Sequence, residues 1–168
     1  MKLKTAHMGL LLSFALILSY IETLIPFSFG IPGIKLGLAN VAVLMCICLL
    51  GYREGLGLAL LKVLLTGLLF GNFSMMLYSL AGALCSYLVM AIMVKSKKFH
   101  IPVISGVGGV FHNMGQLLLA YFVVETYGVW YYMPILIVAG LLTGVLTGAL
   151  ASYVMPYAKK IIERRAEI

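Results

Sequence analysis

Two lysines occupy positions where an apolar chain has little use for a charge. Lys62 lies well inside an apolar run that begins at Glu54, close to the middle of a membrane crossing, and Lys35 opens an earlier run. A cation near the bilayer centre costs roughly 2.5–3.5 kcal/mol on insertion scales, so such a residue faces a helix bundle or a wet cavity. Gly55, Ala59 and Thr66 share the face of Lys62 at helical spacing, and that small, polar face is expected to point inward. Other polar groups gather at similar or more external depths. Glu22 ends the first run, Asn40 lies early in the second, and Asn72 sits in the tight turn Gly71-Asn72-Phe73, followed by Tyr78 and Ser79. In the fifth run, His112 and Gln116 are four apart and Asn113 and Gln116 three apart, so the three can share one sector of a helix.

The set Glu22, Lys35, Asn40, Lys62, Asn72, Tyr78, His112, Asn113 and Gln116 can recognise charge and hydrogen-bonding pattern. Amide and imidazole side chains in membrane bundles also serve simply to bond neighbouring helices. Contributions from five runs to one half of the membrane favour a polar cavity that opens outward and is closed inward. Glu22 can neutralise Lys35 or Lys62. If both lysines stay free, the expected ligand is anionic or carries an electron-rich ring.

Reactive chemistry finds little support. The 168 residues include five acidic ones, all Glu, and no Asp, so neither a paired-aspartate mechanism nor a Ser/His/Asp set can be assembled. There is no phosphate loop of the Gly-x-x-x-x-Gly-Lys-Ser/Thr type. Gly106-Val107-Gly108-Gly109 lies in an apolar run with no strand before it, which argues against a dinucleotide fingerprint. Cys46, Cys48 and Cys85 have neither metal nor disulfide spacing. We expect no catalytic residue, no metal site and no cofactor.

The elements that must position these groups are membrane helices. The chain is 63% hydrophobic and 10% charged, too few charges to coat a water-facing particle of this size. Runs of about 20 apolar residues span roughly 30 Å of hydrocarbon. Six occur, at about 7–24, 34–50, 54–70, 73–94, 102–124 and 130–155. They predict an all-α fold, a single domain of six transmembrane helices over residues 1–168, with 156–168 as a basic cytoplasmic tail. The first run has the basic start of a signal peptide but no small-x-small cleavage site, and is read as a retained helix.

Basic residues fall at Lys2 and Lys4, at Arg53, at Lys95, Lys97 and Lys98, and at Lys159, Lys160, Arg164 and Arg165. The first, third and fifth connectors have none, so both termini are expected in the cytoplasm of a multi-pass cell-membrane protein. The opposite face carries Phe27, Phe29, Phe73, Tyr127, Trp130, Tyr131 and Tyr132, an expected outer aromatic belt. The basic tail reads as a topology anchor on anionic lipid, with no nucleic-acid partner.

Small residues mark close helix packing. Gly140, Gly144 and Gly148, flanked by Ala139, Thr143, Thr147 and Ala151, form a stripe on the sixth run that serves either packing within the bundle or a partner seam. Gly9, Ser13, Ala15 and Ser19 form a weaker pattern on the first run, with packing and partner docking both open. The connector from Pro26 to Gly33, with two prolines and two glycines, reads as a shaped turn whose aromatics either lid the cavity or anchor in the interface.

Four segments carry a family resemblance: Ser19-Tyr20-Ile21-Glu22; Gly30 through Asn40, reading GIPGIKLGLAN; Phe70-Gly71-Asn72; and Gly108 through Gln116, reading GGVFHNMGQ. Together with the six expected spans they resemble the substrate-binding S components of energy-coupling-factor vitamin transporters. The branch they look like is labelled "Gx transporter" or "heptaprenyl diphosphate synthase component I". The resemblance implies a membrane subunit that captures a small molecule from outside and works with a transmembrane coupling protein and ATPase subunits. It also implies that the small-residue face of the first helix, here Gly9, Ser13, Ala15 and Ser19, meets the coupling protein. Two alternatives attach to the same branch. One is a membrane component of flavin- or quinone-linked electron transfer to the outside. The other is an accessory membrane subunit of isoprenoid (heptaprenyl diphosphate) synthesis, whose aspartate-rich magnesium sites this chain cannot supply.

Overall fold

The computed structural model describes residues 2–24, 35, 37–125 and 127–164. These form an all-helical bundle of α1 (Lys2–Leu24), α2 (Asn40–Leu49), α3 (Tyr52–Phe70), α4 (Phe73–Ser96), α5 (Ile101–Val124) and α6 (Met133–Arg164), with a 3-10 segment at Tyr127–Tyr132. Four helical stretches are long and apolar enough to cross a membrane: Lys4–Leu24, Phe73–Ser96, Ile101–Val123 and Tyr127–Lys160. α3 is long enough as well, but Arg53, Glu54 and Lys62 give it three charges.

The second expected span is shortened. α2 has 10 residues, about 15 Å at 1.5 Å per residue, or half a hydrocarbon layer. Ahead of it the chain turns through Gly37 at φ +80°, a conformation open to glycine and strained for side-chain-bearing residues. The backbone N–H groups of Lys35 and Gly37 are taken by side chains of α5 and α1, and so do not enter a helical ladder. At the other end of the chain, α6 continues through Pro156 to Arg164, into the stretch expected as a tail. The Pro26–Gly33 connector, with Phe27 and Phe29, lies outside the described residues.

Helix boundaries follow local chemistry. Asn72 caps α4, its side-chain oxygen accepting from Met75 N at 2.9 Å. α5 starts with Pro102 in its first turn, where the missing N–H costs nothing. α4 ends at Lys97 and α5 at Glu125, both in the left-handed conformation.

Polarity is inverted relative to a water-soluble protein. Large apolar side chains face out, as with Leu68 at 71% exposure, while Glu22, Asn40, Lys62, His112, Asn113 and Gln116 are buried. α2 is apolar all round and is buried from Asn40 to Ile47, packed against Leu11 and Ala15 of α1, Leu58 of α3, Met90 of α4 and Met155 of α6.

The glycine stripe of α6 is used within the chain. A Cβ on Gly140 would lie 2.7 Å from the Gly109 carbonyl oxygen, and one on Gly144 2.5 Å from that of Ser105. α5 and α6 therefore touch backbone to backbone, with Ser105 and Thr147 hydroxyls 3.5 Å apart along the seam. Ala15 and Ser19 pack inward on α1, whereas Gly9 and Ser13 are exposed. The four do not form one face, because Gly9 and Ala15 are six residues apart, about 240° around a helix.

Gly109→Leu should force α5 from α6 and destabilise the protein by about 1–3 kcal/mol or more, read as a lowered unfolding midpoint in detergent. Gly9→Ala, whose Cβ would meet nothing within 4 Å, should leave the midpoint unchanged or slightly raised.

Candidate functional site

The buried face of α3 begins the site. Gly55, Ala59, Lys62 and Thr66 are all buried, and Lys62 is 5% exposed. Its ammonium donates to Asn40 Oδ1 at 2.8 Å, so the first residue of α2 holds the mid-helix charge of α3. Close approach of the two helices lets this happen: a Cβ on Gly55 would meet Ile47 Cγ1 at 2.5 Å.

Glu22 reaches the same place from the end of α1. Its carboxylate accepts from Gly37 N. Among the described residues, neither Lys35 nor Lys62 forms an ion pair with it within 4.0 Å; the pair that does form joins Lys4 to Glu54 at 3.5 Å.

α5 contributes a hydrogen-bonded row. Lys35 N donates to Gln116 Oε1 at 3.2 Å, which leaves Gln116 Nε2 facing His112 Nε2 at 3.2 Å. The amide donates, the imidazole accepts, and the ring therefore carries its proton on Nδ1. Nδ1 lies against α4, where a Cβ on Gly82 would stand 2.8 Å from it. Gly37 makes room on the other side, its own absent Cβ lying 2.7 Å from His112 Cδ2 and from Asn40 Nδ2.

Several of these groups surround a small polar void of about 20 Å³, roughly the room one water needs. Its walls come from Ser19 and Glu22 on α1, Lys35 and Gly37 in the connector, Lys62 and Thr66 on α3, Ser79 on α4 and His112 on α5. Asn40 Nδ2, Thr66 Oγ1 and His112 Nδ1 are buried with no hydrogen-bond partner. A larger cavity of about 580 Å³ lies between α1, α2 and α6, lined almost wholly by apolar groups such as Leu10, Phe14, Met45 and Val154. Its polar members, His7, Ser13, Thr147 and Tyr157, present almost no polar surface to the space.

Of the nine residues expected to bind ligand, the structure brings together Glu22, Lys35, Asn40, Lys62, His112 and Gln116. Three stand elsewhere. Asn72 is exposed and occupied as a helix cap. Tyr78 packs with Leu117, Ala120, Val129 and Leu136. Asn113 donates to Leu136 O at 2.8 Å and ties α5 to α6. Ser19, expected at a docking face, lines the void instead. Gly37 and Gly82 seat the imidazole; Gly37 lies in the GIPGIKLGLAN segment with no role assigned to it, and Gly82 carries no sequence signal beyond being glycine.

A family model described as heptaprenyl diphosphate synthase component I matches residues 11–154. No curated protein matches the chain. Among solved structures, one reported as "Structure and mechanism of the S component of a bacterial ECF transporter" is similar over 98% of this chain and 98% of its own, at 19% identity and a TM-score of 0.51. That likeness speaks for the fold, an S-component arrangement of helices. Because the family model covers most of its length, the chain belongs to the heptaprenyl diphosphate synthase component I family.

Proposed function

We propose that this chain is the substrate-binding membrane subunit of an energy-coupling-factor type transporter. The observation that carries the reading is the convergence of Glu22, Lys35, Lys62 and His112 on one buried void, with Asn40 holding Lys62, inside a bundle whose outside is apolar. Unsatisfied polar groups in a membrane interior are costly, and this many, supplied by separate elements, fit a purpose beyond helix pairing. The S-component fold of the similar solved structure supports the same reading.

In this proposal the single domain crosses the membrane six times, α2 and its connector forming the short second crossing. The termini and the connectors bearing Arg53 and Lys95–Lys98 face the cytoplasm. The void lies toward the opposite ends of the helices and receives a small molecule from outside. Glu22, Lys35, Asn40, Lys62, His112 and Gln116 bind it. A coupling protein and ATPases supply the transport step, and the exposed side of α1 around Gly9 and Ser13, beside the apolar groove, meets the coupling protein. The family description names a component of diphosphate synthesis. A chain without Asp supplies no aspartate-rich magnesium site, so such chemistry would rest on another subunit.

Protein purified into lipid nanodiscs should retain a small molecule detectable by mass spectrometry after denaturation. Lys62→Met or His112→Ala should lower its occupancy at least about 10-fold; equal occupancy in both variants contradicts the site. Ser13→Trp should leave that occupancy intact while preventing copurification with a coupling protein. A fluorescent protein fused after Ile168 should fluoresce, as a cytoplasmic C-terminus requires; activity of a periplasm-dependent phosphatase fused there would contradict the orientation.

A further inference from the structure

The charges around the void do not balance. Lys62 enters from α3 and Lys35 from the connector, against the single carboxylate of Glu22 on α1. α4 presents the Ser79 hydroxyl, and α5 an imidazole whose Nε2 accepts from Gln116 and which stands as the neutral ring. No second acidic group faces the void from any element packed around it among the described residues. The sequence left open whether Glu22 neutralises one lysine by direct contact. In the structure its carboxylate is bonded to Gly37 N, and no ion pair within 4.0 Å forms with either lysine.

Hydrogen-bonding capacity is lopsided in the same sense. Lys62 spends one of its three N–H groups on Asn40 Oδ1, leaving two. Thr66 Oγ1, on the wall of the void, is buried with no partner. Against these donors the carboxylate of Glu22 is the strong acceptor, and one of its oxygens is in use. A site with spare donors and one uncompensated positive charge is completed by a group that brings acceptors and one negative charge. A cation would enlarge the imbalance, and a neutral amide would bring further donors. The void of about 20 Å³ has space for about one water, so it fits a charged head and not a ligand's body.

We propose that the void is the seat of an oxyanion group and that this protein selects small molecules carrying a single negative charge, bound through Lys62 and Thr66. The inference rests on the site being a ligand site.

The two claims separate in one experiment. A low-molecular-weight yeast extract is split by ion exchange into anionic, neutral and cationic pools, and each is added to the nanodisc-embedded protein during thermal unfolding. The anionic pool should raise the midpoint saturably, by about 4 °C or more, and the other pools should not. That shift should vanish in Lys62→Met. Stabilisation by the neutral or cationic pool alone overturns the anion inference and leaves the binding-subunit reading standing. Stabilisation by no pool overturns both. An undiminished anionic shift in folded Lys62→Met removes this void as the seat. The pool comparison uses the unaltered chain, so it stands even where Lys62→Met fails to fold.

Discussion

A lysine ammonium buried at mid-helix, held by one amide oxygen, sets the terms for the rest of this molecule. In the proposed membrane placement that charge lies near the bilayer centre, at a cost of roughly 2.5–3.5 kcal/mol. A hydrogen bond to a charged group returns about 1.5–3 kcal/mol. The Lys62–Asn40 bond thus offsets much of the penalty, provided that α2 and α3 stay in register. The short α2, buried from Asn40 to Ile47, serves this purpose. Its apolar body is packed on all sides, and its first residue delivers the amide to Lys62.

Two further side-chain bonds lay out the connector before α2. Had Lys35 and Gly37 stood in a helix, their N–H groups would have bonded to carbonyls one turn back. Instead Lys35 N and Gly37 N take Gln116 and Glu22, so the polar chains of α1, α5 and the connector close around the void. The glycines do the complementary work. Gly37 and Gly82 leave room for the imidazole, and the Gly109–Gly140 contact draws α5 against α6, fixing the helix that presents His112 and Gln116. Small residues here shape a polar interior as much as they permit close packing.

Much of this was legible from residue types. The apolar runs located α3 through α5 to within a few residues, and Lys62 with Gly55, Ala59 and Thr66 marked a buried face. The errors have physical causes. Apolar periodicity says nothing of N–H groups claimed by distant side chains, so α2 was expected too long. Asn72 before Phe73-Ser74-Met75 carries the mark of a helix cap, a local use that competes with any role in a cavity. Asn113 follows His112 by one residue, about 100° around the helix, which turns it to α6 and away from the void. Which of Tyr78 and Ser79 faces inward rests on the same rotation, and sequence depth alone does not resolve it.

An experimental structure of the protein purified in lipid tests the central claim most directly. The account predicts density for a bound small molecule, with an acceptor atom within hydrogen-bonding distance of Lys62 Nζ, between Asn40 and His112. A filled, ligand-free contact there, with Lys62 turned toward acyl chains and Asn40 bonded only to neighbouring backbone, would contradict it.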